Sequence, residues 1–188
     1  MPKIIENLES RLIREARRQA ETAGYSAVTV RSVAAGCGVG VGTVYNYFPS
    51  KDSLLAAFML EDWQECMEAI DSAAREGAGP EPVAACICRQ LRDYTRRHES
   101  ILSDAAAAVP FAGAFSRYHA MLRAQLAAPL RRFCADDFAA EFAAEALLTW
   151  TVAGRSFPEI WGVLGPLFST ATGVRRPDRG TALDESAD

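Results

Sequence analysis

The sequence predicts an all-α chain in three parts: a three-helix head, one long helix leading out of it, and a helical bundle behind. Three observations predict this. Apolar residues recur at three- and four-residue spacing, the mark of one buried helix face. No segment shows the two-residue alternation of a strand. Two short helical stretches flank a glycine-rich break at Gly36-Cys37-Gly38-Val39-Gly40, the layout of a helix-turn-helix. With 188 residues and 49% hydrophobic content, the chain can build a packed core as one domain, or as two small units sharing a core. Global disorder is excluded on the same grounds.

The first helix carries Ile4, Ile5, Leu8, Leu12, Ile13, Ala16, Ala20 and Ala23 on one face, and Gly24 is its stop. Thr29 is an N-cap, its hydroxyl accepting from a free amide of the next turn. A short helix follows from Val30 to about Ala35, with Val30, Val33 and Ala34 inward. After the glycine break a second short helix runs from about Val41 to Tyr47, and Pro49 ends it. Ser50 caps the long helix, with Asp52 in its first turn facing the positive end of the dipole. Leu54, Leu55, Phe58 and Met59 start its stripe, Asp62 interrupts it, and Trp63, Cys66, Met67 and Ile70 carry it to about Glu76. Gly77-Ala78-Gly79-Pro80-Glu81-Pro82 reads as a linker.

Beyond the linker, Val83 to Arg97 places Val83, Ile87, Leu91 and Tyr94 on one face. Ser100 is expected to cap a short piece ending before Pro110. Phe111, Phe115, Tyr118, Leu122, Leu126 and Leu130 keep helical spacing, with Pro129 a kink or an end. Asp136 or Asp137 opens an alanine-rich helix to about Arg155, and Pro158 or Glu159 opens a last helix to about Phe168. The polar stretch over 172–188 is expected to be a disordered tail.

Charge is divided along the chain. Residues 1–54 hold seven basic side chains against five acidic, whereas 55–188 hold 13 against 19, so the net of -4 hides a mildly basic head on an acidic body. That split suits a nucleic-acid end and a separate second part. Spanning a membrane takes about 20 mostly apolar residues, which no run supplies, and Glu6 and Glu9 break any secretory signal. The expected location is cytoplasmic. Five cysteines, an odd number, are expected as free thiols. Cys86 and Cys88 would point to nearly opposite helix faces, so no metal site is expected, and no cofactor.

Thr29-Val-Arg-Ser-Val-Ala, Gly38-Val39, and Gly42-Thr43-Val44-Tyr45-Asn46-Tyr47-Phe48-Pro49-Ser50-Lys51-Asp52, followed by Leu54-Leu55, closely resemble the TetR family of bacterial transcriptional regulators. The match covers roughly residues 8–60. It implies an N-terminal three-helix helix-turn-helix DNA-binding domain (1–50), joined by a long helix to a helical-bundle ligand-binding and dimerisation domain (51–170). It implies phosphate contacts at Thr43, Tyr45, Tyr47 and Lys51, and base or groove contacts at Arg31, Val41, Gly42, Thr43 and Asn46. Phe48, Leu54 and Leu55 read as core. Either Tyr45 or Tyr47 is also readable as a core aromatic. Arg11, Arg14, Arg17 and Arg18 read first as a solvated helix face paired with Glu15 and Glu21, with Arg17 and Arg18 the nearest to backbone contacts. Gly40-Val41-Gly42 offers no side-chain hydrogen bond to a base edge. Specificity is expected to lean on Arg31, Asn46 and DNA shape. Each of the two glycines costs roughly 1 kcal/mol of helix stability relative to alanine.

In the body, Ala139, Ala140, Ala143, Ala144 and Ala146 allow close helix approach, while Leu147, Leu148, Trp150, Ile160, Trp161, Leu164 and Leu167 supply apolar surface. The last two helices of each chain are expected to form a four-helix interface, unless that surface is only the chain's own core. A candidate effector pocket is lined by Tyr94, Phe111, Phe115, Tyr118, Met121, Trp150 and Phe157, with ordinary core packing as the alternative for each. The function expected is a homodimeric repressor that binds a two-fold symmetric double-stranded operator and is released by a small apolar or aromatic effector. The alternative is a thiol-switched regulator sensing oxidants or electrophiles through Cys37 or Cys66. No nucleophile, base or metal spacing supports an enzyme, and His98 and His119 read as surface or core groups.

Overall fold

The structure is a computed structural model that describes residues 7–76, 79–103 and 119–169. Helix α1 spans Leu8–Ala23, α2 Val30–Cys37, α3 Val41–Tyr45 and α4 Lys51–Arg75. Helix α5 spans Pro80–Arg97 and α6 Glu99–Leu102, α7 runs over 119–130, α8 spans Asp137–Val152 and α9 Phe157–Ser169. Short 3₁₀ turns fill Tyr25–Ala27 and Arg131–Phe133. There is no strand among the described residues. Ile4, Ile5 and the expected tail over 172–188 lie outside them.

Local chemistry sets most boundaries. Thr29 Oγ1 accepts from the Ser32 amide at 2.9 Å while Ser32 Oγ accepts from the Thr29 amide at 3.0 Å. Ser50 and Ser53 repeat this reciprocal cap at the start of α4, both bonds at 3.0 Å. Asp136 Oδ1 caps α8 through the Ala139 amide at 2.8 Å. Helix α2 runs to Cys37 because Gly38, not Gly36, takes the left-handed conformation (φ 68°) that ends it. The linker read over 77–82 gives up its last residues to α5, since Pro80 at the first helical turn needs no amide partner there. Ser100 caps nothing: α6 already begins at Glu99, and the Ser100 hydroxyl donates to the Ala20 carbonyl of α1 at 3.4 Å.

The buried side chains form two clusters. One joins Leu8, Leu12, Ile13, Ala16 and Ala20 of α1 to Val33 and Ala34 of α2, Val44 and Phe48, then Leu54, Leu55 and Phe58 of α4, and Ile101 of α6. The other joins Trp63, Cys66 and Ile70 of α4 to α5, α7, α8 and α9. Each fully buried leucine contributes roughly 1.5–3 kcal/mol by leaving water. Helix α4 therefore belongs to both clusters, and the changeover falls between Phe58 and Trp63.

Asp62 sits in that gap. The sequence reads it as an interruption of an apolar stripe, and the structure buries it completely. Its Oδ1 lies 2.9 Å from Arg17 Nη2 of α1 and 3.5 Å from Arg97 Nη1 of α5. Its Oδ2 lies 3.0 Å from Nε2 of the buried His98. The two guanidiniums supply the positive charge that offsets the buried carboxylate, and His98 lies within hydrogen-bonding distance of its other oxygen. The His98 ring packs on Phe58 and Tyr94, at centroid distances of 5.7 and 4.5 Å. Burial pushes the His98 imidazole below its ordinary value, partly opposed by the Asp62 carboxylate.

Candidate nucleic-acid interface

Helix α3 has two sides of different chemistry. Val44 and Phe48 are buried against α1, α2 and the start of α4. Their neighbours turn outward: Tyr45 is 53% and Tyr47 45% exposed, Asn46 is exposed and Thr43 partly so. Both tyrosine rings thus lie outside the core, contrary to the reading of either as a core aromatic. Arg31, in the first turn of α2, is exposed as well. Val41 differs from the others, being half-buried and packed against the head's core.

Gly42 is exposed, and a Cβ built there meets nothing within 4 Å. Its φ is not positive, so neither packing nor backbone geometry of the free chain requires glycine.

Lys51 opens α4, with its Nζ 3.5 Å from the centroid of the Tyr25 ring. The buried Tyr25 hydroxyl donates to Asp52 Oδ1 at 2.7 Å.

The arginines of α1 divide by direction. Arg17, expected nearest to a DNA backbone, turns inward to Asp62 and donates to Glu61 Oε2 at 3.1 Å. It lies on the α4 side of α1, a direction that spacing on α1 alone does not give. Arg18 is exposed and donates to Glu15, whose carboxyl its hydrogen bond pulls down to about 2. Arg11 Nη2 donates to the Cys37 carbonyl at 2.9 Å, and Arg14 Nε to the Ser10 carbonyl at 3.3 Å. Arg11, Arg14, Glu15, Arg18, Gly36 and Cys37 line an open cleft of about 270 Å³.

In the body, the expected pocket residues separate. Phe111, Phe115 and Tyr118 lie outside the described residues. Tyr94 packs on the body core, edge-on to Trp63, and donates to the Met59 carbonyl at 3.3 Å. Burial pushes its phenol up. Phe157 stacks on Trp161 at 5.9 Å. Trp150, at 50% exposure, and Met121 stand on the surface of the single chain and line no interior site there. Trp150 is turned out because its neighbour Thr151 is the buried one, donating to Cys88 Sγ at 3.1 Å. Trp63, which the pocket reading omitted, donates through Nε1 to Gln125 Oε1 of α7 at 2.6 Å.

The apolar residues of the last two helices also separate. Leu147, Leu148, Ile160 and Leu164 are buried in the chain's own core. Trp150 and Leu167 face outward, as do Phe138 and Phe142 of α8 and Val163 of α9, which sequence reasoning missed. Phe138 and Val163 are 76% and 75% exposed.

The thiols give no support to a redox switch. Cys37, Cys66, Cys86 and Cys88 are buried and Cys134 is partly so. Burial pushes the Cys37 and Cys66 thiols up, away from the reactive thiolate. No group of metal-ligating side chains occurs among the described residues, and none of their helices is long and apolar enough to cross a membrane.

Residues 12–58 match the family model described as bacterial regulatory proteins, tetR family. The HTH-type transcriptional repressor KstR of Mycolicibacterium smegmatis is 41% identical over 61 residues, 32% of this chain and 30% of that protein. KstR of Mycobacterium tuberculosis is 41% identical over 61 residues, 32% of this chain and 28% of its own length. The matched stretch thus spans under a third of either relative. The fold resembles that of Thermus thermophilus FadR, a TetR-family repressor solved with lauroyl-CoA (TM-score 0.59, 20% identity, 93% of this chain and 100% of that one). It also resembles the TetR-family repressor AlkX of Dietzia (TM-score 0.60, 18% identity, 89% and 96%). The family model is seated on α1 to the start of α4, so it is the head of this chain that is similar to the tetR family of bacterial regulatory proteins.

Proposed function

We propose that the chain is a dimeric, sequence-specific DNA-binding repressor released by a small apolar or aromatic effector. The observation that carries the reading is the two-sided α3. Val44 and Phe48 anchor it, Tyr45, Asn46 and Tyr47 are exposed and Thr43 partly so, and the exposed Arg31 on α2 and Lys51 at the start of α4 add cations to the head. Short hydroxyl and amide donors flanked by cations suit a helix laid in the major groove against phosphates. Thr43, Tyr45, Tyr47 and Lys51 take phosphates, and Arg31, Val41, Gly42, Thr43 and Asn46 meet base edges or groove. Repression is supported by the repressor function of the KstR relatives, similar over this same head.

Dimerisation is supported by the outward apolar side chains of α8 and α9, too large and numerous for a surface left in water. The effector contacts we propose among the described residues are Tyr94 and Phe157, both packed on the body core, without Trp150 and Met121, which stand on the surface. An apolar ligand is in keeping with the lauroyl-CoA held by FadR, an aromatic one with the resorcinol held by RolR, whose fold is similar. Effector binding shifts α4, which carries core residues of head and body alike, and changes the separation of two readers that must meet half-sites about 34–36 Å apart.

The test is fluorescence anisotropy on labelled DNA from upstream of the chain's own gene, at two salt concentrations, with random DNA as competitor. Binding should survive the competitor, fall steeply with salt, and be weakened measurably by Tyr45→Ala or Lys51→Ala. Weak binding indifferent to sequence would defeat the reading for that DNA.

A further inference from the structure

Lys51 places a cation at the start of the long helix. It is the first residue of α4, at the positive end of the dipole, where anions stabilise and cations do not. Asp52 already supplies the acidic group of that turn. The ammonium nonetheless lies 3.5 Å from the centroid of the Tyr25 ring, close enough for its negative face to hold a cation. The same tyrosine side chain reaches the next residue, its hydroxyl donating to Asp52 Oδ1 at 2.7 Å. Tyr25 is buried and comes from the 3₁₀ turn between α1 and α2, so one rigid group of the head grips two successive residues of α4. A lysine side chain has much rotamer freedom to lose on binding, and one already seated on a ring loses less.

We propose that Tyr25 is a positioning residue for DNA-backbone recognition. It holds the Lys51 ammonium over its ring as a preformed phosphate anchor at the start of α4. The inference rests on the DNA-binding reading above. Phosphate contacts carry no sequence information, so Tyr25 sets affinity for operator and random DNA alike.

The test compares Tyr25→Phe, Tyr25→Leu, Lys51→Ala and the double variant combining Tyr25→Leu with Lys51→Ala, on operator and random duplex across a salt series. Tyr25→Leu should weaken both duplexes by the same factor, about two- to fivefold. Lys51→Ala should lower the salt slope by about one. Adding Tyr25→Leu to Lys51→Ala should cost nothing more. Tyr25→Phe, which keeps the ring and loses the Asp52 bond, should lose less than Tyr25→Leu. An equal loss from Tyr25→Leu with and without Lys51 would overturn the proposal, leaving Tyr25 a packing residue. If the Tyr25→Leu variant does not fold, judged by its thermal melt, the wild-type chain still decides. Ring-current upfield shifts of the Lys51 Cε protons should be present free and persist on DNA, and their absence from the complex overturns the anchor. A wild-type chain that binds no DNA, matched by Lys51→Ala, would remove the DNA-binding reading itself. That outcome is distinct from firm binding that ignores Tyr25.

Discussion

Replacing Gly42 by alanine separates what α3 owes to its own fold from what it owes to DNA. In the free chain the new methyl meets nothing within 4 Å, and the backbone there is one an L-residue adopts without strain. Alanine is favoured over glycine in a helix by about 0.5–1 kcal/mol. The five-residue α3 should take up most of that gain, raising the melting temperature of this 188-residue chain by about 1–3 °C. DNA binding should move the other way. A residue with no internal reason to be glycine is explained by close approach of something outside, and a methyl at such a contact would cost about tenfold or more in affinity (about 1.4 kcal/mol per decade). The assay pairs calorimetric or fluorescence melting with operator titration of the same preparation. A stabilised protein that binds operator as tightly as the wild type would refute the reasoning, because position 42 would then lie off the interface. A destabilised protein would refute it differently, by showing that the space around Gly42 is occupied.

Three further outcomes are expected. Asp62→Ala should cost about 1–3 kcal/mol in urea unfolding, since it removes the buried carboxylate shared by Arg17, Arg97 and His98 and leaves Arg17 only Glu61; a loss under about 0.5 kcal/mol would mean the cluster is effectively solvated. His98 is held below its ordinary value by burial, with Asp62, Arg97 and Arg17 as its charged neighbours, so the unfolded chain binds its proton first as pH falls. Stability should therefore decline as pH drops below about 6.5 and flatten once the folded-state value is passed; in His98→Gln that part of the slope should vanish, and an unchanged profile would assign it elsewhere. Val163→Glu should yield a monomer in analytical ultracentrifugation with its helical content intact, while an unaltered dimer would move the interface away from this face.

Most of the head was legible because its signals are local. Thr29, Ser50 and Asp136 announce caps through side chains that reach three residues along the chain, and the structure places a capping bond at each. Phe48, Leu54 and Leu55 read as core from the motif and are buried, while Tyr45 and Tyr47, read as phosphate contacts with a core aromatic as the alternative, stand outside the core. The failures concern direction between elements. Arg17 and Arg18 are adjacent on α1 and alike in sequence, yet Arg17 turns to Asp62 on α4 and Arg18 to Glu15 on its own helix. Asp62 reads as a polar interruption because its partners, Arg17 and His98, are distant in sequence. Trp150 and Leu148 are equally apolar, and nothing local says that one is buried and the other outward. A charged residue in mid-stripe, with an arginine on the facing helix, is the signal that would have found the cluster.

The location of Ile101 bears on how this chain can be recombined. It lies in the body by sequence, yet its side chain completes the core under α1, next to the Ser100 bond to Ala20. Leu54, Leu55 and Phe58 likewise serve the head from inside α4. A chimera cut after Ser50 and joined to a foreign body would forfeit these apolar side chains of the head's interior, together with the carboxylate that answers Arg17. A transplantable reader from this chain is therefore not a continuous piece of sequence. It has to bring α4 as far as Asp62 and a copy of the corner from Arg97 to Ile101, or receive a host whose own corner has been rewritten to match.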